Sequence, residues 1–248
     1  MTYLSPAKIN LFLHVTSKRS DGYHNLQTIF QLVDYCDEIN INYRSDGVID
    51  RISGNEHIPK NQDLIIRSAT LLKKITGSKG GADIAIVKKI PIGGGLGGGS
   101  SNAATVLIAL NKLWNLNLPR EELVDIGQNL GADVPVFING HSSWGEGIGE
   151  ILTPISLPKY FYLIVPIGKH ISAKEIFPHK ALTMSPVQRK IANFSMVSNP
   201  HNDCLDAAIH LEADIEKAIA HLDSTENHLG IARMTGSGCC VFVAFEKE

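Results

Sequence analysis

Only four cysteines occur in the 248 residues, at positions 36, 204, 239 and 240, and none forms a Cys-x-x-Cys spacing. That excludes a disulfide framework or a zinc-finger ligand set written into the sequence. Cys239-Cys240 lies in an apolar run read as a buried strand, so reduced structural thiols are expected. Positive charge is also scarce. With 23 Lys and Arg against 25 Asp and Glu the net charge is -2, which argues against a surface that tracks nucleic-acid phosphates. No run approaches the ~20 uninterrupted apolar residues of a membrane-spanning helix. The opening residues, Met1 to Lys8, hold no apolar run of signal length and no Arg-rich leader. A cytoplasmic chain is therefore expected, with the Asn193-Phe194-Ser195 sequon there by chance. Repeats and low-complexity tracts are absent, and 44% hydrophobic with 19% charged residues is ordinary for a folded domain.

What is present is an interleaving of strand and helix patterns. Residues 7–15 alternate as a strand, as do 38–43 and 83–88. Residues 62–76 place Leu64, Ile65, Ser68, Leu71, Leu72 and Ile75 on one helical face, and Gly77 ends the helix. Further helices are expected from Ser100 to Trp114 and, after Pro119, over about 120–129. Later come a short buried strand at 160–166, one long amphipathic helix from Asp203 to Leu222, and strands near 230–234 and 239–245. Leu205, Ile209, Ile215, Ile219 and Leu222 are the inward positions of that helix. The class is α/β or α+β, with a seam between two halves around residues 154–158.

The densest local signal is Pro91-Ile92-Gly93-Gly94-Gly95-Leu96-Gly97-Gly98-Gly99-Ser100-Ser101-Asn102. Six glycines in seven positions cost backbone entropy without filling a core. They allow main-chain N–H groups to converge on an anion, and a helix follows at once with Ser100 or Ser101 as its cap. This is a triphosphate cradle. It is not the common phosphate loop, because Gly-x-x-x-x-Gly-Lys-Ser/Thr is missing, and no acidic ribose ligand follows as in a dinucleotide fold. A mere hinge would have no reason to run into a helix start.

This loop resembles the second signature of the galactokinase, homoserine kinase, mevalonate kinase and phosphomevalonate kinase (GHMP kinase) superfamily. Thr235-Gly236-Ser237-Gly238-Cys239-Cys240-Val241-Phe242 resembles its third, which packs beside the loop. Three further segments narrow the likeness: Ser5-Pro6-Ala7-Lys8-Ile9-Asn10, then Asp21-Gly22-Tyr23-His24, then Leu130-Gly131-Ala132-Asp133-Val134-Pro135. With them the chain resembles, from about residue 5 to 245, the 4-diphosphocytidyl-2-C-methyl-D-erythritol kinase family.

The resemblance implies an α+β, two-domain fold: a ribosomal protein S5 domain 2-like ATP-binding half over 1–155 and a ferredoxin-like half over 156–248. The family continues by a helix and a strand beyond the position of Glu248, so the second half is expected to lack its final elements. Asp133 falls on the catalytic aspartate and Lys8 on the lysine that acts with it. Taken alone, Asp133 reads as a helix N-cap before Val134-Pro135, and Lys8 as a cation in an apolar strand that needs a partner. Leu64 and Lys88 fall where the family lines the adenosine site, and Gly93, Gly94, Gly95, Gly97, Gly98, Gly99, Ser100, Ser101 and Asn102 where it cradles phosphates. Asp63 stands where relatives often carry Asn. Tyr23, His24 and Phe177 match residues that hold the cytosine, and Asn10 a substrate-contacting amide. The other histidines read as surface.

ATP with Mg²⁺ and a small-molecule substrate, the cytidine diphosphate of methylerythritol, are the implied partners, with no protein metal site, nucleic acid or membrane. Another GHMP small-molecule kinase, such as homoserine kinase, or a non-catalytic nucleotide-binding module are the alternatives. Tyr23-His24 and the Lys8/Asp133 pair argue against both.

Overall fold

The computed structural model describes residues 1–168, 170–186 and 201–246. The sequon at 193–195 lies outside the described residues. The chain divides into two compact units, Met1–Ala7 with Leu32–Ile90 and Gly97–His141, and Lys8–Gln31 with Pro91–Leu96 and Ser142–Glu248. Two long strands, β1 (Thr2–Lys18) and β2 (His24–Arg44), contribute residues to both.

In the first unit β3 (Ile49–Ser53) runs parallel to β4 (Gly81–Val87), and β4 runs antiparallel to the second half of β2, from Glu38 opposite Val87 to Arg44 opposite Gly81. Alternation puts Ile39, Ile41, Ala82, Ile84 and Ile86 in the core.

Helix α1 (Leu64–Thr76) is closed by Gly77 in the left-handed conformation, its N–H donating to Lys73 O. Its start is capped by Asp63, whose Oδ1 accepts from Ile65 N at 3.0 Å. The buried stripe is Ile65, Ser68, Ala69 and Leu72. Ile75, expected inward, is 55% exposed because it belongs to the last turn, where the helix runs out toward solvent.

Helix α2 (Gly98–Leu113) starts two residues earlier than expected. Its N-cap is Gly97 at φ 70°, with no side-chain cap, so neither Ser100 nor Ser101 has that role. Its buried Ala103, Ala104 and Ala109 let α1 and α4 (Val134–Asn139) pack closely on it. Between these, α3 (Arg120–Gln128) follows Pro119 and carries Glu121 and Glu122 in its first turn, where the helix dipole favours acids.

The second unit holds β5 (Ser143–Glu146), β6 (Ile151–Pro154), β7 (Phe161–Pro166), α5 (Ala173–Ile176), α6 (Leu205–Leu211), α7 (Asp214–Asp223), β8 (His228–Met234) and β9 (Cys240–Phe245). Thr28–Phe30 of β2 pairs antiparallel with β5, which pairs with β6. A separate antiparallel sheet has the order β7-β9-β8, and its central strand β9 is buried almost throughout. Leu13, Val15, Ile176, Ile215, Leu222, Met234, Val241 and Val243 form the core beside it.

Three expectations change here. The strand at 160–166 is not buried, since β7 is a sheet edge with Phe161 and Leu163 exposed. The single helix from Asp203 to Leu222 is two, because Glu212 is extended (φ −150°, ψ 95°). Its carboxylate accepts from Asp214 N at 3.3 Å, and Asp214 and Glu216 suit a new helix start. Finally, His14 is a buried residue of β1, set edge-on to Phe12 at 4.9 Å. All four cysteines are free, and Cys204, Cys239 and Cys240 are buried.

The most exacting polar feature of the first unit is the buried ion pair of Asp63 with Arg51, which also donates to Ile58 O at 2.9 Å. Removing one partner strands a buried charge. Asp63→Ala is expected to lower unfolding free energy by about 3–5 kcal/mol, the usual cost of breaking a buried pair. A urea midpoint within error of the parent protein would show that Arg51 finds another partner.

Candidate active site

In the second unit the loop residues Gly93–Gly95 lie directly against Thr235–Gly238. A Cβ built on Gly238 would fall 2.1 Å from Gly95 N, and one on Gly95 would fall 2.1 Å from Thr235 O. Gly95 also has φ 77°, which an L side chain rarely adopts. Cys240 N donates to Gly94 O at 3.1 Å, and Thr235 N to Cys240 O at 3.0 Å, so β9 extends the contact as hydrogen bonds. The two glycine segments are thus one backbone-to-backbone packing unit, as the sequence reading expected of the third signature.

Lys8 is 3% exposed, and the partner its burial demands is the loop. Its N–H donates to Leu96 O at 3.0 Å, and its Nζ donates to Gly95 O at 2.8 Å and to Asn10 Oδ1 at 2.6 Å. The ammonium lies 5.6 Å from the Phe30 ring centroid, a cation–π distance. Asn10 is held in turn, its N–H donating to Thr235 Oγ1 and its Nδ2 to Thr28 Oγ1, both at 2.8 Å.

In the first unit, the nucleotide candidates gather round the first turn of α2. A Cβ on Gly98 would lie 3.0 Å from Lys88 Nζ, and one on Gly99 would lie 3.3 Å from Leu64 Cδ1. Lys88 donates to Asp37 Oδ2 at 2.5 Å and approaches Asn102 Oδ1 at 3.4 Å. A cation at a helix N-terminus opposes the dipole, and Asp37 offsets that cost. Fully buried, Asp37 also accepts from Lys89 N (2.7 Å), Ile90 N (2.9 Å) and Asn102 Nδ2 (2.9 Å).

Asn102 reaches Ser5 Oγ at 2.9 Å, and Ser5 Oγ lies 2.8 Å from Ser101 Oγ. The Ser101 hydroxyl is therefore turned inward, whereas Ser100 is half-exposed. Asp133 occupies the N-cap position of α4, but its side chain makes no cap hydrogen bond, which corrects its reading as a cap. Asp63, close to Leu64, is an acceptor committed to the α1 start and Arg51.

The aromatic candidates lie in the second unit. His24 opens β2 and stacks on Phe177 at 5.3 Å with 20° between the planes. Burial, helped by the charge of Lys18, lowers its pKa, which favours a neutral imidazole with one donor and one acceptor nitrogen. Phe177 ends α5, whose start is a Ser172/Glu175 capping box. Tyr23 is 60% exposed on a turn pinned by the Arg19–Asp21 pair at 2.8 Å, with Asp21 Oδ1 accepting from Tyr23 N.

Sequence reasoning gave no role to Asp37, Ser5, Thr28 or Thr235, although Ser5 and Thr235 stand in the motifs. Strand parity carried a signal for two of them. Asp37 shares its face with Ile39 and Ile41, and Thr28 with Leu26 and Phe30, so each had to be buried and satisfied.

A glycine loop running into a helix, a lysine tied to it and a second glycine segment packed on it define the GHMP kinase class, and the model of the GHMP kinases N terminal domain matches residues 63–141. The 4-diphosphocytidyl-2-C-methyl-D-erythritol kinase of Ruthia magnifica subsp. Calyptogena magnifica is 59% identical over 247 residues, 100% of this chain and 87% of that protein. That of Cupriavidus metallidurans is 46% identical over 98% of this chain and 84% of its own length. A crystal structure of 4-(cytidine 5'-diphospho)-2C-methyl-D-erythritol kinase superposes with TM-score 0.78 at 30% identity, over 98% of this chain and 89% of that one. The chain belongs to the 4-diphosphocytidyl-2-C-methyl-D-erythritol kinase family.

The glycine contact supplies a test. Gly238→Ala is expected to cost about 1–3 kcal/mol, as overpacking does, and to weaken binding of an ATP analogue by spreading the loop. Thermal melting with calorimetric titration checks both. An unchanged melting point and affinity would mean the two segments part without consequence.

Proposed function

We propose that this chain transfers the γ-phosphoryl group of ATP to the 2-hydroxyl of 4-diphosphocytidyl-2-C-methyl-D-erythritol, a step of the non-mevalonate route to isoprenoid precursors. The observation that carries this reading is the Lys8 ammonium, buried and held 2.8 Å from the Gly95 carbonyl of the glycine loop. A cation tied to that loop is suited to charge that develops on transferring oxygens. The substrate oxygen forms a bond to the γ-phosphorus as the bond from phosphorus to the β,γ-bridging oxygen breaks. ADP leaves with that electron pair. The Asp133 carboxylate takes the hydroxyl proton, and positioning with electrostatics does the rest.

Gly93 to Gly99 and the start of α2 take the phosphates, with Ser100, Asn102 and Lys88 on the first turn and Leu64 against the adenosine. Among the described residues no group of three or more His, Cys, Asp or Glu could hold a metal ion. Mg²⁺ would be held by the nucleotide phosphates, with the half-exposed Ser100 hydroxyl as the oxygen this chain offers, and would neutralise phosphate charge. Ser101 is spent on Ser5.

His24 reads the cytosine edge, Tyr23 and Phe177 cover the base, and Asn10 faces the methylerythritol side. Residues 1–155 form the ATP-binding domain of this reading and 156–248 its second domain, acting on a small molecule in the cytoplasm without nucleic acid. Among the described residues no helix is long and apolar enough to cross a membrane.

The decisive assay couples ADP release to the cytidyl substrate beside homoserine and mevalonate; turnover of either rival instead would overturn the proposal. Asp133→Asn is expected to lower kcat by ~10²–10⁴-fold, the usual worth of a positioned base, with ATP affinity kept. Near-normal turnover in the folded variant would remove Asp133 from the role. For the base, His24→Ala should raise KM for the cytidyl substrate and shrink its advantage over a uridine analogue, because a hydrogen-bonded edge discriminates and stacking does not. Tyr23→Ala should weaken both analogues alike. If His24→Ala leaves the cytidine-to-uridine ratio of kcat/KM intact, other groups read the base.

A further inference from the structure

The Lys8 ammonium is oriented by a hydrogen-bond chain whose direction is forced from its far end. Phe12 O is a main-chain carbonyl and only accepts, so Thr28 Oγ1, 2.5 Å away, spends its single proton there. The hydroxyl then has only lone pairs left. The Asn10 atom 2.8 Å from it must be a donor, which is Nδ2. That sets the orientation of the amide and points Oδ1 at Lys8 Nζ, 2.6 Å away. An ammonium has donors and no acceptor, so the opposite orientation of the amide would set donor against donor. Thr28, Asn10 and Lys8 are 0%, 2% and 3% exposed, leaving bulk water little access to substitute for a missing partner.

We propose that Thr28 is a positioning residue of this kinase, whose hydroxyl fixes the Asn10 amide and through it the Lys8 ammonium on the Gly95 carbonyl. Thr28 acts two residues removed from the reaction. It lies on β2, opposite Gly145 of β5, where its methyl group packs and its hydroxyl alone enters the chain of hydrogen bonds. Asn10 is anchored at the other side by its own N–H on Thr235 Oγ1, so only its side-chain torsion is left for Thr28 to set. The consequence for turnover rests on the phosphoryl-transfer reading above; the order of the hydrogen bonds does not.

Thr28→Val keeps shape and removes the hydroxyl, and Thr28→Ser keeps the hydroxyl. Two measurements on the full chain separate the possibilities. In the first, side-chain amide exchange is followed by NMR on ¹⁵N-labelled protein, the Asn10 signal being identified by its loss in Asn10→Ala. Protection of that NH₂ in the parent and in Thr28→Ser, and its loss in Thr28→Val, is expected. Equal protection in Thr28→Val overturns the proposal.

In the second, steady-state kinetics with ATP and the cytidyl substrate should show kcat lowered about 10²-fold in Thr28→Val, the order lost when a reacting group is misplaced by an ångström. The KM for ATP should stay within about threefold, the KM for the cytidyl substrate, which Asn10 faces, should rise, and Thr28→Ser should recover kcat. In an Asn10→Ala background Thr28→Val should add less than about twofold, because the two residues act as one unit. Multiplying effects, or a Thr28→Val kcat within threefold of the parent, overturn the proposal while the kinase reading stands. A parent protein that phosphorylates no cytidyl substrate overturns the kinase reading, and the amide exchange then decides the hydrogen-bond order alone.

Discussion

Where Gly93–Gly95 meets Thr235–Gly238, main chain packs on main chain at distances no side chain would permit. Each glycine ordered there costs roughly 0.5–1 kcal/mol more than alanine would in regular structure. The cost is offset by the hydrogen bonds that the contact makes possible, Cys240 N to Gly94 O and Thr235 N to Cys240 O, and by the buried strand β9 behind them. The contact also decides where the Gly95 carbonyl points, and that carbonyl receives the Lys8 ammonium. Loop, second glycine segment and lysine therefore hold or fail together.

Two lysines, one buried and one half-buried, are stabilised by different chemistry. Lys8 donates to the amide carbonyls of Gly95 and Asn10, whose dipoles favour the cation. Lys88 lies over the first residue of α2, a place where a cation is disfavoured, and Asp37 holds it there. Asp37 binds the two N–H groups at Lys89 and Ile90 as well, just before the glycine loop begins. One carboxylate thus sets a side-chain charge and the entry of the loop at once, from the buried face that it shares with Ile39 and Ile41.

Much of the fold was legible because local periodicity and punctuation agree. Gly77 and Pro119 end and begin helices for reasons of backbone conformation alone, and the alternating segment from Ala7 to Val15 is a strand, though both of its faces are buried. Reading failed where a neighbour decided. Residues 203–222 carry one continuous helical stripe, yet Glu212 turns its carboxylate on Asp214 N and divides it. The apolar run at 160–166 reads as interior, yet its strand is a sheet edge. His14, with no ligand-like spacing, reads as surface, yet it stands in a stretch of β1 that is buried on both faces.

By itself the sequence determined the motifs, their order and the elements that carry them. A glycine run that opens a helix, a lysine in an apolar strand and a Thr-Gly-Ser-Gly turn are each unusual enough to be recognised without coordinates. Only tertiary structure decided how their polar atoms are shared. Asp63 and Arg51 are 12 positions apart, Lys88 and Asp37 51, and Asn10 and Thr235 225. Such pairings depend on which strands lie beside each other, which residue spacing along the chain does not encode. The same holds for direction: that Thr28 gives its proton to Phe12 and so turns Asn10 toward Lys8 follows from which acceptor lies within 2.5 Å, a matter of packing.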